Sequence, residues 1–400
     1  ELGWLNDWIS SVFLRQEEEN LTSSARFTYQ AHYLNLLELI ASTLPCHEIT
    51  LLPADETIQP VNVDLFLDLG NSHSCGIISE QHQSDNNPLL HSRELMLRDL
   101  SMPAEKGSLL FSSNIAFASC PLDIRDCSVA SGRSSAFLWP SLVRTGDEAV
   151  RLTRKLNRSE GMQGVSSPRR YLWDDNASAA RWYYPAGDGE EPVPAVLSPF
   201  TLLINDQAEL LRELTQEQQL PVFHASYPRS TLLMSMICEL ISQAFSQMNS
   251  HHHRQLMPEY SAPRQLHSVV MTLPAAMSAI EKQRVLHLTR QALALMRQSM
   301  TYSTDASGRR SVADYWRQMP QVRADVDEAS CGQLTWLYQQ LYGTLVTGDP
   351  CSRLLSRWQR PDHNFPPNGL RIALIDIGGG TTDVSVTDYL PVASSTPTPA

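Results

Sequence analysis

The chain has 400 residues, of which 42 % are hydrophobic and 18 % are charged. This length and composition suit two or three packed domains and exclude a chain that is disordered or a coiled coil as a whole. Acidic residues outnumber basic ones by 43 to 31, and the net charge of −12 argues against a nucleic-acid partner, which would need a basic face. No apolar run is long enough for a membrane span, and the seven scattered cysteines form no CxxC pair, so we expect a cytoplasmic protein with reduced thiols.

The first predicted strand, over 61–69, ends in a turn that carries polar side chains. It follows a helical N-terminal extension, 1–60, in which apolar residues recur at helical spacing. The strand closes with Asp68-Leu69-Gly70, and a second strand returns after the turn residues Asn71, Ser72 and His73. By itself this pattern is typical of a β-hairpin with a Gly-Asn turn.

Helices and strands alternate through the middle of the chain, which indicates the α/β class. The predicted elements are a helix over 229–249, a strand over 267–273 and a helix over 334–345. Ser278 and Glu281 form a capping box that starts another helix between the last two. The run His251–His253 could bind a metal, but its polar neighbours favour a solvated loop.

The strongest local signal is a second strand-turn-strand pattern, in which the strand 370–377 ends in Asp376. The turn that follows contains Gly378, Gly379, Gly380, Thr381 and Thr382, and then Asp383. Three glycines let backbone N–H groups close round a phosphate, and the threonine hydroxyls add donors. A carboxylate beside phosphate implies a cation or a water between them. A glycine-rich hairpin with chance flanks is the alternative.

Two familiar nucleotide motifs are excluded. A Walker A loop needs Gly-Lys followed by Ser or Thr, and neither Lys106, Lys155 nor Lys282 has that context. A dinucleotide fingerprint needs a helix after the glycines, whereas a strand follows here. Two Asp-x-Gly hairpins in one chain instead indicate an internal duplication with a phosphate-binding turn in each half.

The two hairpins resemble the phosphate-1 and phosphate-2 loops of the actin, DnaK-type chaperone and sugar-kinase ATPase superfamily. Residues 68–75 resemble the chaperones' DLGTTNSC, with departures at three turn positions, and residues 376–383 resemble their DLGGGTFD closely. The segment from Val269 is similar to their strand-helix step, and Glu328 begins the connecting helix, although that motif's proline is missing.

The resemblance implies an actin-like ATPase fold with two ribonuclease-H-like lobes. The first lobe, with insertions, would cover 61–350, the second would start over 351–390, and 391–400 would be a disordered tail. The chain ends soon after Asp383 and before the family's adenosine loop. We therefore expect a truncated second lobe, weak or absent ATP binding by these 400 residues, and association through the incomplete lobe.

The resemblance also implies ATP and Mg²⁺ between the lobes. Asp68 would organise the water shell of the metal, Asp376 would share the metal site, and Asp376 or Glu328 would orient the attacking water. The implied cofactor-binding residues are Gly70, Asn71, Ser72, His73, Arg169, Gly378, Gly379, Gly380, Thr381 and Thr382. Arg169 stands where the family has a phosphate-facing lysine; the alternative is a surface arginine beside Asp174 and Asp175.

More narrowly, residues 167–174, Ser-Pro-Arg-Arg-Tyr-Leu-Trp-Asp, are similar to the SrfB-type bacterial virulence-factor family. Three function classes follow from the two resemblances. The first is an ATP-driven conformational switch that acts on protein partners of unknown identity. The others are a nucleotide-binding or degenerate interaction module without turnover, and a small-molecule kinase on the same fold.

Overall fold

The computed structural model of the protein describes most of the chain between residues 58 and 390. The described residues are 58–82, 89–102, 107, 109–118, 139–154, 163–179, 181–184, 193–196, 199–301, 318–342, 350–358, 369–379 and 382–390, with isolated positions 34, 35 and 37. The predicted extension 1–60, apart from these positions and 58–60, and the predicted tail 391–400 lie outside them.

Strands and helices are mixed along the chain, as predicted. The strands are β1 (Val61–Leu69), β2 (His73–Gln81), β3 (Ser92–Glu94), β4 (Phe111–Ser112), β5 (Asn114–Phe117), β6 (Val143–Thr145), β7 (Gly164–Ser166), β8 (Tyr183–Tyr184), β9 (Val193–Pro194), β10 (Arg264–Thr272), β11 (Gln321–Arg323), β12 (Leu370–Ile377) and β13 (Thr382–Tyr389). The helices are α1 (Gly146–Arg154), α2 (Leu232–Met248), α3 (His251–Gln255), α4 (Ala279–Thr301), α5 (Glu328–Tyr342) and α6 (Pro350–Trp358).

The largest sheet has the strand order β11-β10-β1-β2-β3, with β4 also paired to β2. Strands β1, β10 and β11 are parallel, and β2 runs antiparallel to β1. Alternate residues of β1 from Val61 to Leu69 are buried, so this strand has one core face. Because β1 and β10 are parallel neighbours, their carboxyl ends, with Asp68 opposite Thr272, meet at one edge of the sheet.

The core lies between this sheet and two long helices, α2 and α4, which pack on each other. Helix α2 confirms the predicted helix over 229–249, but it is buried on nearly every side and not only along its apolar stripe, since Glu239 and Gln243 are buried as well. The capping box of α4 is confirmed: Ser278 N donates to Glu281 Oε2 at 2.9 Å, and Glu281 N donates to Ser278 Oγ at 3.3 Å. None of the helices that the structure describes is long and apolar enough to cross a membrane.

The prediction of a solvated loop at His251–His253 is correct for the exposure of His251 and His252, but it is wrong about the loop and about His253. These residues open the short helix α3, which Ser250 caps by accepting a hydrogen bond from His253 N. His253 is buried, and its Nε2 lies 2.8 Å from the carboxylate of Glu80. The polar neighbours suggested exposure, but a charged partner from β2 makes burial of the imidazole favourable.

Helix α2 also covers the edge of the largest sheet where the chain continues beyond β3. Gln247 donates to the carbonyl of Glu94 at 2.7 Å and accepts from Met96 N at 2.8 Å. One turn earlier, Gln243 donates to the carbonyl of Arg98 at 3.0 Å and accepts from Arg98 N at 3.2 Å. The two amide side chains therefore satisfy the backbone of the segment 94–98, as a neighbouring strand would.

Candidate functional site

The first predicted phosphate turn joins β1 to β2. Asp68 is paired with Cys75 across the hairpin, so the carboxylate stands at the mouth of the turn. A Cβ atom on Gly70 would collide with the carbonyl oxygen of His73. The turn is therefore too tight for any residue but glycine at this position.

Two serines from other elements hold this turn. Ser113 N donates to the carbonyl of Ser72 at 2.9 Å, and the Ser167 hydroxyl donates to the carbonyl of Asn71. Ser167 has a left-handed backbone, with φ of 53°, and precedes the short 3-10 turn Pro168–Tyr171. Ser167 thus holds the β1–β2 turn and sets the position of Arg169.

Arg169 points at the start of α5. Its Nη1 lies 2.8 Å from Glu328 Oε1, and both side chains are largely buried. Asp174 and Asp175 pair instead with Arg229 and Arg284. Of the two interpretations of Arg169, the surface arginine beside these aspartates is therefore wrong.

Glu328 is the first residue of α5, and its N–H donates to the carbonyl of Leu273 at 3.1 Å, just after β10. Burial raises the pKa of Glu328, and the charge of Arg169 opposes that shift. The charges of Asp68 and Asp383 raise the same pKa further, so both carboxylates lie near Glu328.

Asp68 is in a similar environment. Burial raises the pKa of Asp68, the Thr272 side chain and the Arg169 charge lower it, and the charge of Asp376 raises it. The hydroxyl of Thr272 is buried, and the neighbouring Asp68 carboxylate is the group that can accept a hydrogen bond from it. The two polar groups thus lie side by side at the carboxyl edge of the sheet.

The second predicted phosphate turn meets the first one. Asp376 pairs with Asp383 at the end of the β12–β13 hairpin. A Cβ atom on Gly379 would overlap the side chain of Ser72. The two turns, more than 300 residues apart in the chain, are therefore in direct contact, and the absence of a side chain at 379 permits it.

Helix α5 holds the second hairpin in this position. Gln333 Nε2 donates to Ser385 Oγ at 2.7 Å, and the hydroxyl of Tyr389 donates to Gln333 Oε1 at 2.8 Å. A Cβ on Gly332 would lie 3.1 Å from the Leu374 side chain, which indicates close packing of helix and hairpin. The helix that begins with Glu328 is thus the link between the two turns.

The structure brings six of the predicted site residues together, which are Asp68, Ser72, Arg169, Glu328, Asp376 and Gly379. Asn71 and Gly70 belong to the same turn. His73 and Thr382 are the exposed first residues of β2 and β13. Gly378 is exposed at the end of β12, whereas Gly380 and Thr381 lie outside the described residues.

Sequence reasoning missed Thr272, Ser113 and Ser167 as parts of the site. Thr272 could have been found, since a parallel strand that ends beside β1 places its last residue at the same sheet edge. The two serines carry no local signal. They reach the turn only because a second, three-stranded sheet, β6-β5-β7, lies next to it.

These elements define a mixed α/β protein with several sheets, in which two glycine turns and a group of carboxylates meet around one arginine. The model of the family described as "Virulence factor SrfB" matches residues 1–394. The chain therefore belongs to the SrfB virulence factor family, as its residues 167–174 had indicated. No curated protein matches the chain.

Proposed function

We propose that this chain is an ATP-binding module of the actin-like, chaperone-like ATPase type, in which nucleotide drives a conformational switch that acts on protein partners. The observation that supports it best is the contact between the two turns, where Gly379 lies against Ser72. Each turn follows a strand that ends in aspartate, and the charge of Asp376 raises the pKa of Asp68. Paired glycine turns with carboxylates beside them suit a polyphosphate bound with a cation.

The residues fit Mg²⁺-ATP chemically. Backbone N–H groups of the turns 70–73 and 378–382 would bind the phosphates, and Asp68 and Asp376 would hold the metal through water. Within the described residues no three His, Cys, Asp or Glu side chains are grouped so as to hold a metal ion by themselves. A cation here therefore needs phosphate and water ligands, as Mg²⁺ commonly has. When bound, it supplies neutralisation of the phosphate charge.

Asp376 is the better candidate for orienting the attacking water. Glu328 accepts a hydrogen bond from Arg169, whereas the carboxylate of Asp376 is exposed and has no hydrogen-bond partner among the described residues. A free carboxylate oxygen can accept a proton from a water, and an oxygen already engaged by a guanidinium is a poorer acceptor. Glu328 then acts as the partner that keeps Arg169 in place.

The switch has a physical connection in α5. Its first residue, Glu328, belongs to the site, and one turn further on Gln333 binds the β12–β13 hairpin. A change at the phosphates that moves Arg169 or Glu328 would therefore be transmitted along a rigid helix to the hairpin. The exposed face of that hairpin would present the change to a partner.

One observation favours the second class, a nucleotide-binding module without turnover. The Arg169 guanidinium, which would stabilise phosphate charge, is already paired with Glu328. If nucleotide does not break that ion pair, the arginine contributes little to a transition state. Binding and hydrolysis therefore have to be measured separately.

The binding experiment compares two β-branched substitutions in one hairpin. Since weak binding is expected, calorimetry is carried out at Mg²⁺-ATP concentrations suited to a weak ligand. It should show that Gly379→Val lowers the affinity of the chain at least about tenfold, because the new side chain would separate the two turns. Ala373→Val, on the exposed face of the same hairpin, is the control and should bind as the unchanged chain does. Equal affinities for both variants, with circular dichroism confirming that both are folded, would contradict the proposal.

A further inference from the structure

Three exposed apolar side chains project from the segment between β9 and α2. Leu202, Leu220 and Phe223 are 62 %, 61 % and 64 % exposed. Their neighbours Thr201 and Val222 are buried and joined by a backbone hydrogen bond of 3.4 Å, so Leu202 and Phe223 flank one contact on its outer side. We call these three residues the apolar knob.

The knob stands on a rigid support. Asp206 Oδ1 accepts hydrogen bonds from three successive backbone N–H groups, those of Phe223, His224 and Ala225, at 3.1, 2.8 and 3.0 Å. Ala225 has φ of 49°, a conformation that costs free energy in a residue with a Cβ. The fold thus stabilises a strained loop that leaves an aromatic ring in water, which is typical of a preorganised contact residue.

A cavity of about 630 Å³ lies between α4 and β11, so this part of the surface is concave, whereas the apolar knob projects. Its apolar lining is Leu293, Ala294, Met319, Pro320 and Val322. Arg290 and Arg323 also line it. Arg290 is exposed and has no ion-pair partner in the part of the chain that the structure describes. The cavity is large enough for a phenylalanine side chain. Since Arg323 is paired with Asp325 at 2.6 Å, Arg290 carries the positive charge that remains available on its border.

Charge complements shape. The segment that carries the knob has three exposed glutamates, Glu209, Glu213 and Glu217, and a single exposed arginine, Arg212. Glu213 also lines the cavity, so the knob segment and the cavity border one another on the same side of the molecule. Such a surface is self-complementary, because a two-fold axis next to it brings each knob to the partner's cavity.

We propose that two copies of this chain associate through this surface, with Phe223 of each copy in the cavity of the other. Arg290 then lies opposite the glutamates of the segment that carries the knob. The contact buries an aromatic anchor under a ring of opposite charges, the arrangement found at interface hot spots. The inference goes beyond the proposed ATPase function, since it needs neither nucleotide nor either phosphate turn.

Sedimentation equilibrium of the full chain without nucleotide tests the dimer. We expect a dimer whose dissociation constant rises at least about tenfold in Phe223→Asp and in Arg290→Glu. Leu90→Asp, a leucine 58 % exposed elsewhere on the molecule, is the matched control and should leave the dimer unchanged. The single variant Glu217→Arg should weaken the dimer, and the double variant Glu217→Arg with Arg290→Glu should restore it.

Three outcomes would overturn the proposal. The first is a monomer at all concentrations up to about 100 µM, which is weaker than a specific interface of this kind would give. The second is a dimer that Phe223→Asp and Arg290→Glu leave intact. The third is a dimer lost in Ile375→Asp alone, since that result would place the interface on the β12–β13 hairpin.

Discussion

Among the described residues of the site, Arg169 acts on two carboxylates: it is paired with Glu328, and its charge lowers the pKa of Asp68. The charges of Asp376 and Asp383 act in the opposite direction, on Asp68 and Glu328 respectively. Burial raises the pKa of both Asp68 and Glu328, which means that the charged forms are destabilised where they stand. A bound cation would lower both pKa values, so these residues are better suited to a metal-nucleotide complex than to a bare anion.

Removing the Arg169 side chain should lower the stability of the fold, because the carboxylates of the site would then repel one another without compensation. Arg169→Ala leaves Glu328 unpaired at a largely buried position, and we expect a loss of about 3 kcal/mol in the free energy of unfolding. Arg229→Ala, whose partner Asp174 is 3.8 Å away and a third exposed, should cost less than about 1 kcal/mol. Urea titrations of both variants provide the measurement, and similar losses would show that the Arg169 pair is not special.

The role of Asp376 is testable by separating rate from affinity. Asp376→Asn keeps the shape of the side chain and removes the acceptor charge. The turnover of Mg²⁺-ATP that the proposal requires of the unchanged chain should therefore fall by at least about a hundredfold in the variant. Affinity should change only a few-fold, because the turns still contact each other. Near-normal turnover in this variant would rule out Asp376 as the group that orients water. Asp388→Asn, at the opposite end of the hairpin, is the control.

Among the elements, α4 offers a local test of how its start is stabilised. Ser278→Ala removes the acceptor for Glu281 N, and we expect a loss of about 1 kcal/mol. Gln283→Ala, an exposed position inside the same helix, should be neutral or slightly stabilising. Thermal or urea unfolding compares the two, and equal stabilities would mean that the capping box contributes nothing.

The elements with a local signal were predictable. Strands β1 and β12 have the bounds that were predicted, and the capping box lies where Ser278 and Glu281 indicate. Helix α5 begins at Glu328, where the resemblance placed the connecting helix, and not at 334, where apolar periodicity placed a helix start. Its first turn is polar and is ordered by the contact with Leu273. Periodicity cannot detect a helical turn that depends on a distant carbonyl.

What the sequence could not provide is the set of long-range partners. The aspartate-glycine turns predicted phosphate-type hairpins, but that Gly379 touches Ser72 follows only from the way α5 packs on β12 and β13. The pairing of Arg169 with Glu328, and not with Asp174, likewise depends on a left-handed Ser167. Such contacts depend on the assembled fold, which single-residue patterns do not encode.

At the scale of the whole molecule, two buried carboxylates lie in opposite environments. Glu80 is fully buried between Arg264, His253 and His82. Although burial opposes the shift, the hydrogen bonds and charges of His253 and Arg264 lower the pKa of Glu80 to about 2. Glu148 is buried beside Arg144, at 3.8 Å, and burial raises the pKa of Glu148 to about 7. The first carboxylate stabilises the fold when charged, and the second stabilises it when protonated.

The two groups predict a bell-shaped dependence of stability on pH. The unfolded pKa is 4.5 for each, so the Glu80 contribution is lost as pH falls from 4.5 to about 2. The folded state holds an extra proton on Glu148 between pH 4.5 and about 7, so its contribution falls as pH rises through that range. Each limb is worth on the order of 3 kcal/mol.

Glu148→Gln isolates the upper limb. Because glutamine does not titrate, the decline in the free energy of unfolding between pH 5 and 7 should largely disappear in this variant. Urea titrations at pH 5, 6, 7 and 8 measure it, with the exposed Glu217→Gln as the control. A decline of the same size in both variants would mean that other groups cause it.

The side-chain amides of Gln243 and Gln247 protect an exposed strand edge against aggregation. A free strand edge beyond β3 would accept a strand from any neighbour, which is the usual start of uncontrolled aggregation. Here a helix occupies the donor and acceptor sites of the segment 94–98 with side chains, so no extended peptide can add there without first displacing α2. Loss of both amides should therefore appear as reduced solubility at high concentration before it appears as reduced folding.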